Sequence, residues 1–219
     1  MCLVVLAWQA VPDLPLVVAA NRDEFHGRPA APAAFWSDLP GILAGRDLKA
    51  GGTWMGVSRS RRFAAVTNYR GATEPSAPSS RGSLVSEFLK DDCLPGQFVG
   101  ALKSDLYSGF NLLVADENEL WWLSNRGGTA RRLEPGIYGL GNLLLDSPEV
   151  GAARNSFESM ARLAPGIEPL MSVVAKAKIV NVQYGTRCST VLLRGKTVRY
   201  AERRFNPDGA EEETRHYEF

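Results

Sequence analysis

An α+β fold, with antiparallel sheets sandwiched between helical layers, is what this 219-residue sequence predicts, from three observations. Short apolar runs occur in neighbouring pairs separated by turn-forming residues, as β-hairpins require. These pairs are interleaved with segments of helical spacing. The first run, residues 2–8, is apolar on both faces, which in a strand implies cover on both sides and therefore a layered domain.

Residues 2–8 and 16–20 predict the first hairpin, with Pro12, Asp13 and Pro15 in the connection. A second strand pair is predicted over 51–57 and 63–68. Residues 81–90 show helical spacing through Leu84, Phe88 and Leu89. A third strand pair covers 110–115 and 120–125, and 137–145 is an apolar segment broken by Gly139 and Gly141. Ser147 as N-cap and Pro148 at the first helical position open a helix to about residue 163, followed by a second over about 169–178. Residues 187–193 and 197–203 close the chain with a hairpin. From Asn206 the sequence is polar and reads as an exposed tail, leaving 1–205 as one domain. Trp54, Trp121 and Trp122 read as core or pocket wall.

Composition narrows the function classes. Hydrophobic residues make up 45% of the chain and the formal net charge is +1, an ordinary globular balance without the basic excess of a nucleic-acid binder. The run Arg59, Ser60, Arg61, Arg62 reads as a solvated turn. No segment is apolar for long enough to span a bilayer, and the N-terminus lacks the basic region and cleavage site of a signal peptide. Cys2, Cys93 and Cys188 are at unrelated spacings that give neither a disulfide framework nor a metal motif, so a reducing cytoplasm is expected. With only two histidines, His26 and His216, a general base is expected to be something other than imidazole.

Cys2 supplies an alternative. Removal of Met1 would leave it carrying both a thiol and a free α-amine, a nucleophile and a base in one residue. A hairpin turning near Pro12 and Asp13 pairs positions that sum to about 24–26, which sets Cys2 opposite residues 22 to 24 of Asn21-Arg22-Asp23-Glu24. A guanidinium there is expected to lower the thiol pKa by favouring the charged form. By strand alternation Glu24 shares a face with Arg22, and Asp23 points the other way.

The motifs carry a resemblance. Met1-Cys2, Asn21-Arg22-Asp23-Glu24-Phe25 with Arg28-Pro29, Gly52-Thr53-Trp54-Met55-Gly56, Thr67-Asn68-Tyr69-Arg70-Gly71, Gly109-Phe110-Asn111, Gly139-Leu140-Gly141-Asn142 and Tyr184-Gly185-Thr186-Arg187 occur in order along residues 1 to about 205. Together they resemble the NRDE family, also called the transport and Golgi organisation protein 2 family, which is similar to the N-terminal nucleophile hydrolases. That resemblance implies a four-layer αββα fold and a likeness to bile-salt hydrolases and penicillin V acylases, cysteine enzymes that cleave amides. It implies Cys2 as nucleophile, Arg22 beside it, Asp23 or Glu24 orienting the amine, Asn68 and Asn142 serving the oxyanion, and Arg187 as a late active-site arginine.

Two functions follow as expectations. One is a hydrolase or acyltransferase acting on a small amide or thioester, with no cofactor or metal required. The other, drawn from the family's links to haem mobilisation and to coenzyme A and lipid homeostasis, is a carrier for haem or an acyl-coenzyme A without chemistry. Haem ligation would then fall to Cys2, His26, His216 or a methionine.

Overall fold

The structure, a computed structural model, describes residues 2–71, 77–163 and 165–219. Strands β1 (Leu3–Val11), β2 (Leu14–Phe25), β3 (Ala30–Phe35), β4 (Ile42–Asp47), β5 (Met55–Ser58) and β6 (Phe63–Asn68) come first. Helices α1 (Arg81–Lys90) and α2 (Pro95–Ala101) follow, then β7 (Phe110–Ala115), β8 (Leu120–Ser124), β9 (Arg131–Leu133) and β10 (Gly136–Leu140). Helices α3 (Gly151–Leu163) and α4 (Ile167–Ala175) precede β11 (Tyr184–Arg194), β12 (Val198–Phe205) and β13 (Glu211–Glu218). The α+β class predicted from the sequence is borne out. The chain divides into two compact units, each built on one antiparallel sheet.

The first unit comprises residues 1–28, 135–141 and 145–219. Its sheet has the strand order β10-β1-β2-β11-β12-β13. Alternate residues Val5, Ala7, Val17, Ala19, Val191 and Leu193 pack under Phe157 of α3 and Leu170 and Val174 of α4, as period-2 alternation requires. Strand β2 runs on to Phe25, so the Asn-Arg-Asp-Glu cluster lies within a strand instead of ending one. The cause is β11, which pairs with β2 from Leu16 to Phe25 and so supports the polar residues beyond the reach of β1.

The second unit comprises residues 29–134 and 142–144, with strand order β3-β4-β5-β6-β7-β8-β9. Leu84, Val85, Phe88 and Leu89 of α1 pack on Ile42, Ala44, Ala64 and Leu112 of its sheet. Arg62 departs from the solvated turn expected of it. Its guanidinium is buried, donates to Phe88 O (3.1 Å) and Cys93 O (2.8 Å), and lies 3.9 Å from the Phe88 ring centroid. A cation at the C-terminal end of α1 satisfies carbonyls that the helix leaves open and complements its dipole.

The tail expected from Asn206 is corrected as well: residues 211–218 form β13, an edge strand on β12. Its pairing is bound up with charge, since Arg203 and Arg204 on β12 form ion pairs with Glu211, Glu212 and Glu213. The first helix block opens with a 3₁₀ turn at Pro148–Val150 before α3 begins, and Ser147 makes no side-chain cap.

Candidate active site

The hairpin of β1 and β2 pairs Leu3 with Asn21 and Val4 with Ala20, so each pair sums to 24. One step further, the same register puts Cys2 opposite Arg22. On the other side of β2, Arg22 pairs with Cys188 of β11, which in turn pairs with Arg204 of β12. Arg187 is the extra residue of a bulge between Thr186 and Cys188.

Alternation divides the four-residue cluster two and two. Asn21 faces the helices: its Nδ2 donates to Val174 O at 2.8 Å, and its Oδ1 accepts from Ser189 Oγ at 2.7 Å. Asp23 lies on that side, where Oδ1 accepts a 2.6 Å hydrogen bond from Thr186 Oγ1. Arg22 and Glu24 share the opposite face, 3.9 Å apart, with Glu24 also 3.8 Å from Arg28. Asn21 and Asp23 therefore tie β2 to α4 and β11, while Arg22 and Glu24 share the face of the Cys2 side chain.

The Cys2 thiol donates to the Asp23 carbonyl at 3.4 Å, and the Tyr184 hydroxyl donates to the same oxygen at 3.1 Å. Burial pushes the thiol pKa above its ordinary value and the Asp23 charge adds to this; a backbone hydrogen bond at Asp23 and, to a lesser extent, the Arg22 charge oppose it without prevailing. The lowering expected from Arg22 is thus present but outweighed, because desolvation disfavours a thiolate more than one neighbouring guanidinium favours it. Met1 lies outside the described residues.

Arg187 Nη1 donates to the carbonyls of Phe25 (3.2 Å), His26 (3.0 Å) and Arg28 (3.4 Å), so its guanidinium closes the turn that leaves β2. Its pKa is lowered by burial and by the charges of Arg22 and Arg204. Asn68 and Asn142 belong to the second unit, where the structure brings them together. Asn142 Nδ2 donates to Asn68 O at 2.8 Å, and Asn142 O accepts from Arg70 N at 2.6 Å. Asn68 ends β6 with its side chain exposed. Sequence reasoning did not find Tyr184 and Thr186. Their hydroxyls lie two apart on the strand entering the Arg187 bulge, but only the bulge fixes which way they face.

Two further groups share the face of Arg22. Cys188 and Tyr200 are both held well above their ordinary pKa by burial, and then by the nearby Glu202 charge. The folded chain keeps both protons where the unfolded chain would release them, so their contribution is intact at neutral pH and is lost as pH rises past the ordinary thiol and phenol ranges. Stability should fall by about 1.4 kcal/mol per pH unit for each group over that window. Urea midpoints measured from pH 7.5 to 10.5 should show the decline, and Tyr200→Phe should flatten its upper part. An unchanged slope in Tyr200→Phe would contradict the assignment.

Among the described residues, no group of three or more His, Cys, Asp or Glu is placed to hold a metal ion, and no helix is long and apolar enough to cross a membrane. Three solved structures share the fold. A mutant of the conjugated bile acid hydrolase from Clostridium perfringens matches with a TM-score of 0.59 at 10% identity, covering 99% of this chain and 97% of that one. The Caenorhabditis elegans N-acylethanolamine-hydrolyzing acid amidase ortholog matches with a TM-score of 0.56 at 10% identity, covering 88% and 92%. Penicillin V acylase from Agrobacterium tumefaciens gives 0.53 at 11% identity, covering 93% and 83%. The fold is that of the N-terminal nucleophile hydrolases.

Sequence relatives are closer. The transport and Golgi organization protein 2 homolog of Bos taurus is 34% identical over 224 residues, covering 81% of this chain and 81% of its own length. The Mus musculus homolog is 40% identical over 144 residues, covering 61% of this chain. That match spans 52% of the mouse protein, about half its length. The family profile described as "Transport and Golgi organisation 2" matches residues 1–178, and the chain belongs to that family.

Proposed function

We propose that this chain is an N-terminal-cysteine hydrolase or acyltransferase that attacks the carbonyl of a small amide or thioester. The observation that carries the reading is the hairpin register, which sets Cys2 opposite a buried arginine within β2. Once Met1 is removed, the Cys2 α-amine takes the thiol proton and Sγ bonds to the carbonyl carbon. The tetrahedral oxyanion collapses as the C–N or C–S bond breaks, and the amine returns the proton to the leaving group. Water, or an acceptor nucleophile, loses a proton to the amine and attacks the resulting thioester, which releases the acyl group and restores the thiol.

Hydrogen bonds, ion pairs and burial support the residue roles in this reading. Arg22 stabilises the thiolate as the proton leaves. Asp23 holds the amine: its carboxylate is buried and its charge is felt at Cys2, whereas Glu24 is engaged between Arg22 and Arg28. The family resemblance implies Asn68 and Asn142 for the oxyanion, and within the second unit Asn142 holds the Asn68 carbonyl. Arg187 fixes the turn after β2. The free thiols Cys2, Cys93 and Cys188 support residence in a reducing cytoplasm.

One observation favours a second reading, a carrier for haem or an acyl-coenzyme A without turnover: the Cys2 thiol is held above its ordinary pKa, which weakens it as a nucleophile. Turnover on a panel of acyl amides and thioesters, run beside a haem titration followed at the Soret band, separates the two. The hydrolase reading expects turnover and no saturable haem site. Saturable haem binding lost on replacing one named ligand, with no turnover on any panel member, would replace it with the carrier.

A further inference from the structure

Thr186 and Tyr184 both donate to Asp23, the residue whose carbonyl accepts from the Cys2 thiol. Thr186 N and Oγ1 are both anchored to residue 179: the amide donates to Ile179 O at 2.9 Å, and the hydroxyl accepts from Ile179 N at 2.8 Å. The same hydroxyl donates its own proton to Asp23 Oδ1. With one acceptor position occupied by an amide, its proton is donated to the buried Asp23 carboxylate, which is held there. The Tyr184 ring packs edge-on against Phe25, with centroids 5.3 Å apart, and its hydroxyl shares the Asp23 carbonyl with the Cys2 thiol.

We propose that Thr186 and Tyr184 are positioning residues for Cys2, Thr186 by fixing the Asp23 carboxylate and Tyr184 by partly satisfying the carbonyl to which the thiol donates. The role of Thr186 toward the amine rests on the hydrolase reading above; the effects of both residues on the thiol do not. A carbonyl already holding one donor accepts a second more weakly and repels a thiolate less. Tyr184 thus makes the thiol proton easier to remove, whereas the Asp23 charge, held in place by Thr186, makes it harder.

The two residues therefore act in opposite directions, and the test uses that opposition. The charges that act on Cys2 are those of Asp23 and Arg22 on β2 and of the N-terminal amine, and the titratable Tyr184 hydroxyl on β11 shares the Asp23 carbonyl with the thiol. On β10, Leu140 carries no charge. The measurement is the pH profile of iodoacetamide labelling at Cys2 in the full-length protein, resolved by peptide mapping from Cys93 and Cys188. Tyr184→Phe should raise the midpoint and Thr186→Val should lower it, each by about half a pH unit, or about threefold in labelling rate at a fixed pH below the midpoint. Thr186→Ser keeps the hydroxyl and should return the wild-type profile.

Loosened packing would instead move both variants downward, toward free cysteine. The proposal is overturned if both midpoints shift the same way, if either variant matches wild type, or if Thr186→Ser behaves like Thr186→Val. Should Thr186→Val fail to fold, Asp23→Asn replaces it: removing the charge while keeping the shape must lower the midpoint, and an unchanged profile overturns the Thr186 assignment. The hydrolase reading fails separately, when Cys2→Ala retains turnover. In that case the opposed shifts could still be present, and the positioning of the thiol would stand.

Discussion

Replacing Cys2 by alanine should lower turnover on any accepted amide or thioester by on the order of 10³-fold or more, because the acyl bond forms to its thiol. The fold should hardly notice. The side chain is half-buried and makes one long hydrogen bond, to Asp23 O, so the cost in stability should stay below about 1 kcal/mol. Cys2→Ser is the more telling variant. It preserves the hydrogen bond, but a serine hydroxyl gives up its proton far less readily than a thiol, so most of the loss should persist. Steady-state rates and urea denaturation on the same preparations check both halves. Wild-type rates in either variant would remove Cys2 from the mechanism, and a large stability loss would mean its role is structural.

Gly52→Ala should have the largest effect on the fold. Gly52 lies where the segment entering β5 crosses the N-terminal turn of α1, and Thr53 N donates to Gly82 O at 3.1 Å. A methyl group at Gly52 would collide with the Gly82 carbonyl and reach the Ser83 amide nitrogen at 2.8 Å. Those neighbours are backbone atoms of a helix and cannot turn aside as a flexible side chain could. The substitution should cost about 3 kcal/mol or more, at the upper end of overpacking effects. Gly41→Ala, with nothing within 4 Å of the added carbon, is the matched control. Equal urea midpoints for the two variants would show that the crossing is looser than described.

The first hairpin and its register were legible because a turn near Pro12 and Asp13 limits which positions can pair, and the observed sum of 24 falls inside the expected range. Alternation also separated Arg22 and Glu24 from Asp23 without coordinates. What sequence could not give was the behaviour of the thiol. A neighbouring cation can be read from pairing, but desolvation depends on everything that covers the residue, and desolvation prevailed.

Two of the strands not predicted have particular reasons. Strand β3 is rich in alanine and contains Pro32, so its composition argues against a strand that only pairing with β4 supplies. Strand β13 is polar and mostly charged, and its partners Arg203 and Arg204 lie across a turn on the preceding strand. Thr186 and Tyr184 escaped notice because a one-residue bulge at Arg187 shifts the alternation between Asp23 and Arg22.

The central claim is that Cys2 works with its own α-amine, and covalent trapping tests it most directly. Protein that has lost Met1 is incubated with an activated acyl ester, and the Cys2 peptide is read by mass spectrometry, beside a variant carrying one alanine inserted between Met1 and Cys2. The account predicts an acyl adduct on Cys2 in the first protein and little or none in the second, whose Cys2 nitrogen is an amide and cannot accept the proton. Equal acylation of Cys2 in both, at rates that differ by less than about threefold, would contradict it.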